Sequence, residues 1–317
     1  MNASHKGIEK PSTRRFVLPN GMEVAYQSRG EVEFFYNDIF EKRIYVKHGI
    51  SLADGCCIFD VGANIGLFTL FVHQHYRDVR VYAFEPAPPL FEVLSDNVSR
   101  YAPDTKLFNC GLSNEEKVTS FTFYPNSSGM SSFYADIEQE KEALRGIMAN
   151  QLRQGMPGMD RIMRHADELV NERLKSETYN CRLRTVSQII REEQLDHIDL
   201  MKIDVQKSEL DVINGIAPED WPRIKQIVIE VHDFNGRLQY VKELLELKGY
   251  EVNVEQDDHY QESILYNLFA RRITSPVFTA IKPLSDESLR QILNRAKKKQ
   301  EADSRKQQLL GARNKRQ

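Results

Sequence analysis

The chain has 317 residues, of which 41% are hydrophobic and 28% charged, with a formal net charge of −3. That length holds one large α/β domain with appendages or two small domains, and the composition is that of a globular enzyme rather than a disordered or fibrous chain. The slightly negative charge argues against a nucleic-acid binder that works through bulk charge.

Residues 1–15 are polar and carry no apolar signal-peptide core. Further on, the longest apolar stretch, Ile58 to Val72, is broken by Asp60 and Asn64 and is too short and too polar to cross a bilayer. A cytoplasmic location is therefore expected, with no membrane partner. Residues 1–54 read as an N-terminal extension. Phe16 to Gln27 predicts a hairpin about Pro19-Asn20-Gly21, and Phe34, Phe35, Tyr36, Ile39 and Phe40 predict a short aromatic helix.

Residues 55–274 read as the core. Strands are expected at Cys56 to Val61, Val79 to Phe84 and Lys106 to Cys110, with helices at Ile65 to His75 and Pro88 to Tyr101. This order, with apolar strands, predicts a doubly wound parallel sheet. After a strand at Val118 to Tyr124 the pattern breaks. Residues 135–178 are rich in Glu, Arg, Gln and Met at helical spacing, interrupted at Gly155 to Gly158. They are expected to form a two-helix insertion, either simple decoration or a lid over an active site. The α/β pattern then resumes. Strands are expected at Cys181 to Val186, Ile198 to Ile203 and Ile224 to Val231, helices at Ser208 to Ile216 and Leu238 to Lys248, and a final antiparallel pair at Tyr250 to Val254 and Ile264 to Arg271. The expected architecture is α/β, Rossmann-like, with seven strands, the last one reversed. In residues 275–317 a helix beginning near Ser285 runs into a basic stretch from Lys297 to Arg316, readable as a linker, a solvated tail or a basic patch. Cys56, Cys57, Cys110 and Cys181 form no C-x-x-C pair and no zinc spacing, so buried reduced thiols are expected and no metal site.

The chemistry centres on Phe59-Asp60-Val61-Gly62-Ala63-Asn64-Ile65-Gly66, between a buried strand and a helix. Gly62 and Gly66 permit a tight turn with a ligand close to the backbone. N–H groups at the helix start favour a carboxylate, and Asp60 can accept a hydrogen bond from an ammonium. S-adenosylmethionine (SAM) carries both groups. The dinucleotide fingerprint G-x-G-x-x-G fits less well: its middle glycine is missing, Asn64 stands in that region, and Asp60 would repel a pyrophosphate. Glu85 lies about twenty residues on, at a strand end where a carboxylate grips ribose hydroxyls. Asn109, Cys110 and Gly111, at the next strand end, are expected beside the adenine. Met130 to Tyr134 is either a wall of the substrate cleft or a plain connector.

These residues, together with Met201 to Leu210, Glu230-Val231-His232 and Tyr266-Asn267-Leu268-Phe269-Ala270, resemble the FkbM family of SAM-dependent methyltransferases across Leu18 to Arg272. The family pattern often has Asp-Val-Glu-Gly where this chain has Asp204-Val205-Gln206-Lys207. The resemblance implies O-methylation of a hydroxyl on a natural-product or sugar scaffold, in some cases as a domain beside polyketide or peptide synthase modules with the substrate on a carrier protein.

Methyl transfer from a sulfonium is an in-line displacement, so the protein's work is alignment plus a base for the hydroxyl. Candidates belong at the carboxyl ends of the parallel strands. Asp204 ends one, and Glu230 and His232, two residues apart and so on one face, end the next. His232 is the expected general base, with Glu230 orienting it and Asp204 touching the SAM amine or the substrate. In an alternative, Asp204, Glu230 and Asp233 hold Mg²⁺. Two other classes fit the sequence less well. A nucleic-acid methyltransferase lacks its Asn/Asp-Pro-Pro-Tyr loop here and has only the basic tail in its favour. A non-catalytic methyltransferase-fold interaction module is at odds with the retention of Asp60, Gly62, Gly66 and Glu85.

Overall fold

The computed structural model describes residues 14–153, 155, 158–257 and 263–273. The chain opens with the expected hairpin, β1 (Arg15–Val17) and β2 (Glu23–Ala25), antiparallel to each other. Helix α1 (Arg29–Tyr36) follows and runs on into a π-helical turn, Asn37–Glu41.

The main layer alternates β3 (Cys57–Val61), α2 (Leu67–His75), β4 (Arg80–Phe84), α3 (Pro88–Tyr101) and β5 (Lys106–Phe108). A second sheet collects three strands: β6 (Gly111–Leu112), β7 (Lys117–Phe123) and β8 (Glu177–Arg184), in the order β6-β8-β7. Between β7 and β8 lie α4 (Ile137–Arg153), α5 (Met159–Met163) and α6 (Ala166–Arg173). The main layer then resumes with α7 (Val186–Glu192), β9 (Leu200–Ile203), α8 (Glu209–Asn214), β10 (Gln226–His232), α9 (Arg237–Leu247), β11 (Tyr250–Glu255) and β12 (Leu265–Arg272).

The seven-stranded order is β11-β12-β10-β9-β3-β4-β5. Strands β10, β9, β3, β4 and β5 are mutually parallel, and β12 inserts antiparallel between β10 and β11. Every residue of β3 and of β9 is buried, because helices cover both faces of the sheet. One apolar cluster on one face holds Ile58, Leu70 and Leu94, and a second on the other holds Phe59, Ile203 and Ile229. The winding direction reverses between β3 and β9, which is where an open α/β sheet presents its ligand crevice.

Three sequence expectations change. The strand expected at Lys106 to Cys110 stops at Phe108: the N–H of Cys110 bonds back to the Phe108 carbonyl at 2.9 Å, and the chain turns away to pair Gly111 with Leu183 in the second sheet. The strand expected to run to Val186 ends at Arg184, because Thr185 caps α7. The Thr185 hydroxyl accepts from the Gln188 N–H at 3.1 Å and the Gln188 side-chain Oε1 accepts from the Thr185 N–H at 2.8 Å, a reciprocal capping box. The insertion has three helices instead of two, broken again at Arg164-His165, and they enclose a small core of their own, Tyr124, Leu144, Met148, Met159, Val170 and Leu174. The four cysteines are buried and unpaired. Among the described residues no helix is long and apolar enough to cross a membrane. The helix and basic stretch expected in residues 275–317 lie outside the described residues.

Candidate active site

A cavity of about 1040 Å³ opens at the carboxyl ends of β3, β4, β9 and β10, at the reversal point of the sheet. Single-ligand pockets span about 300–1,000 Å³, so this one has room for a cofactor and an acceptor together. Helix α1, the Ser128–Met130 turn and α4 close it from the side away from the sheet. Of the residues singled out in the sequence, Gly62, Asn64, Glu85, Gly111, Asp204, Glu230 and His232 line it. Asp60, Gly66, Asn109 and Cys110 stand behind its walls. Phe133 and Met130 also line it, which makes the 130–134 stretch part of the cleft wall.

The glycine loop is tightly wired. Gly62 has φ +79°, and a Cβ there would stand 1.8 Å from the Asp204 carbonyl oxygen. Gly62 is thus required by the close approach of the β3 and β9 ends. Gly62→Ala is expected to cost about 3–5 kcal/mol, from the clash and the left-handed backbone together, which a denaturant midpoint will show. Gly66, at φ +92°, packs against Leu94 of α3. The loop's own N–H groups are engaged within the protein. Those of Gly62 and Ala63 donate to the Phe84 carbonyl at 3.0 and 2.9 Å, and that of Asn64 donates to Glu85 Oε2 at 2.9 Å. The N–H groups of Ile65 and Gly66 bond to Asn64 Oδ1 and to the Ala63 carbonyl at 2.8 Å each. Asn109 acts from behind, its amide donating to the carbonyls of Glu85 and Pro86 and pinning the end of β4.

Asp60 does not line the cavity. It is fully buried, accepts from the Thr69 hydroxyl at 2.8 Å and pairs with Lys202 Nζ at 3.2 Å. Lys202, on β9, also donates to the Gly62 carbonyl at 2.7 Å and lies 5.3 Å from the centre of the Tyr45 ring. Burial pulls the Lys202 ammonium pKa down, but Asp60, Asp204 and Glu230 together outweigh it and hold it above the usual lysine value. Asp204 is the carboxylate that reaches the cavity. It accepts from the Tyr45 hydroxyl at 2.8 Å, and Lys202 stands 3.9 Å away. Burial, and then the Asp204 charge, push the Tyr45 phenol far above its ordinary range, so it remains a donor.

His232 ends β10, and its Nδ1 lies 2.7 Å from Glu209 Oε1. The orienting carboxylate is therefore Glu209, at the start of α8, and not Glu230. Glu209 is fully buried, yet its pKa lies below the usual range. Burial raises it, while the hydrogen bond and charge of His232 and the charge of Arg237 prevail. Arg237 Nη1 donates to Glu209 Oε2 at 2.6 Å and to the Lys207 carbonyl at 2.8 Å. Glu230 is held by Gln206 Nε2 at 3.2 Å instead, and burial with the nearby Asp204 and Glu209 raises its pKa well above the carboxylate range. Asp233 accepts from the Leu238 N–H at 3.0 Å at the start of α9 and does not line the cavity. The Mg²⁺ set of Asp204, Glu230 and Asp233 is thus not brought together. No group of three His, Cys, Asp or Glu poised for a metal occurs among the described residues.

Comparisons with known proteins decide which chemistry this geometry serves. The model of the methyltransferase FkbM domain matches residues 60–252. The chain belongs to the FkbM methyltransferase family. It is 42% identical over 255 residues to the 31-O-demethyl-FK506 methyltransferase FkbM of Streptomyces tacrolimicus, covering 80% of this chain and 95% of that one. It is 39% identical over 262 residues to the AMB antimetabolite synthetase AmbE of Pseudomonas aeruginosa, where the match covers 80% of this chain and 12% of that protein's length. Among solved structures, M. capricolum TrmK in complex with S-adenosyl-homocysteine aligns over 83% of this chain and 96% of its own, at 8% identity and a TM-score of 0.38.

The cavity of this FkbM methyltransferase fits SAM through its donor and acceptor set. Glu85, buried just beyond β4, and Asp204 both line the cavity; Glu85 would take the ribose hydroxyls and Asp204 the ammonium. When bound, SAM supplies an electrophilic methyl group. Burial raises the Glu85 pKa to about 7, against the lowering effect of the Ala87 and Asn64 N–H bonds. The folded protein therefore holds this proton where the unfolded chain has released it, so Glu85 stabilises the fold less as pH rises from its ordinary 4.5 to about 7. Ribose hydroxyls donate to the ionised form. Affinity for S-adenosylhomocysteine is expected to rise with pH through about 7, with proton release on binding below that point. Calorimetry in buffers of different ionisation enthalpy reads both. A Glu85→Gln variant whose affinity keeps the same pH dependence would remove Glu85 from this role.

Proposed function

We propose that this chain is a cytoplasmic O-methyltransferase acting on a hydroxyl of a natural-product intermediate, with His232 as general base. The observation that carries the reading is the His232–Glu209–Arg237 chain at the cavity wall. A carboxylate on Nδ1 fixes the neutral tautomer with its proton there, leaving the Nε2 lone pair for an incoming hydroxyl. Nε2 accepts that proton as the hydroxyl oxygen turns nucleophilic, and Glu209 stabilises the imidazolium that forms. Asp204 aligns the cofactor's amino-acid end, and Glu230 lines the same cavity.

The acceptor, in this proposal, is hydroxylated and carried on a carrier protein, with neighbouring synthase domains as partners. Two relatives support it: one named for a methyl group added at an oxygen of FK506, the other a synthetase many times longer than this chain. The test is transfer of labelled methyl from SAM to a panel of hydroxylated polyketides, offered free and as carrier-protein thioesters. A labelled methoxy product, formed faster from the thioester, is expected. Label on nitrogen or carbon would overturn the O-methylation reading, and equal rates on free and tethered acceptors would overturn the carrier reading.

A further inference from the structure

The loop after β9 runs through two successive left-handed residues, Gln206 at φ +46° and Lys207 at φ +73°. That region favours glycine, and other residues occupy it only where their surroundings hold them there. Lys207 is held there from three sides. Its ammonium bonds Glu140 Oε1 of α4 at 2.9 Å and lies 5.6 Å from the centre of the Phe234 ring. Its N–H donates at 2.8 Å to Glu209 Oε1, the same oxygen that meets His232 Nδ1. Its carbonyl accepts from Arg237, which grips the other oxygen of Glu209. Glu140 is buried and also accepts from the Asp136 N–H at the start of α4. Ser132, ahead of α4, donates to the Gln206 carbonyl at 2.6 Å. A continuous line of charged contacts thus runs from the insertion helix to the imidazole. Both ends line the same cavity.

We propose that Lys207 is a positioning residue that couples docking of α4 over the acceptor space to the setting of His232. Its ammonium fixes α4 through Glu140, and its N–H fixes the Glu209 oxygen that orients the imidazole, so the two settle together. A glycine at 207 would suit the backbone better and break that coupling. The functional meaning rests on His232 being the base, but the coupling is read without any acceptor, so the two ideas fail separately.

The experiment uses the full chain saturated with S-adenosylhomocysteine, as wild type, Lys207→Gly and Glu140→Gln. Hydrogen exchange of the 137–153 amides reports α4, and the His232 ring resonances at one fixed pH report the imidazole. In both variants, exchange in α4 is expected to rise about tenfold or more, and the His232 ring resonances are expected to shift as the Glu209 contact loosens. Glu140→Gln is the sharper arm, since it leaves the loop's own residues and the histidine unaltered and preserves side-chain shape. Unchanged α4 exchange in Glu140→Gln would overturn the docking of α4 through Lys207. Faster α4 exchange with unmoved His232 resonances would overturn the coupling.

Discussion

Replacing His232 with alanine lowers kcat by about 10²–10⁴-fold, the usual contribution of a positioned general base, while S-adenosylhomocysteine binding persists. The second half follows from position: His232 ends β10, whereas Glu85, the carboxyl that would take the ribose, follows β4, across β9 and β3 in the sheet. Glu209→Gln should fall in the same direction by a smaller factor, because the imidazole stays in place but loses the charge that stabilises its protonated form. Steady-state kinetics separates these effects, since loss of a base lowers kcat and kcat/KM together. A His232→Ala enzyme with unchanged kcat would place the proton acceptor elsewhere, Asp204 first.

Lys202→Met is expected to be among the most destabilising single changes at the site, by about 3–5 kcal/mol. Lys202 and Asp60 have side-chain exposures of 4% and 0%, so removing the ammonium strands a buried carboxylate. The same ammonium ties the Gly62 carbonyl and stands near Asp204, so the cofactor loop loosens with it. Changing Asp60 to Asn in the same chain removes the stranded charge and should restore part of the stability. Chemical denaturation of the two single variants and the double variant forms the cycle. Additive losses would mean that the two groups do not act as a pair.

The core was legible in the sequence because parallel strands covered on both faces appear as mostly apolar runs. Cys57–Val61, Arg80–Phe84 and Leu200–Ile203 are such runs, each with one charged residue, Asp60, Arg80 and Lys202. The second sheet was not legible, because β6 has only two residues and pairs with β8, some seventy positions later. Local spacing says nothing of such a partner. At the site, sequence position placed Glu85, Asp204 and His232 at strand ends beside one cavity. It misassigned Asp60, whose partner Lys202 lies on another strand, and it paired His232 with Glu230 because two-residue spacing is the nearest signal. Glu209 was visible inside the Met201 to Leu210 motif, but its role depends on α8 turning back over β10. Tyr45 and Arg237 gave no sequence signal, since each acts through a residue far along the chain. The family assignment sets aside the non-catalytic module.

The most direct test of the proposed chemistry is the pH dependence of kcat for wild type and His232→Ala at saturating SAM and a hydroxyl acceptor. Wild type should lose rate on the acid side as the imidazole takes up its proton. The variant should lack that limb and gain rate steadily with rising pH, as hydroxide replaces the missing base. An identical acid limb in both enzymes would contradict the assignment of His232 and of the Glu209 network built around it.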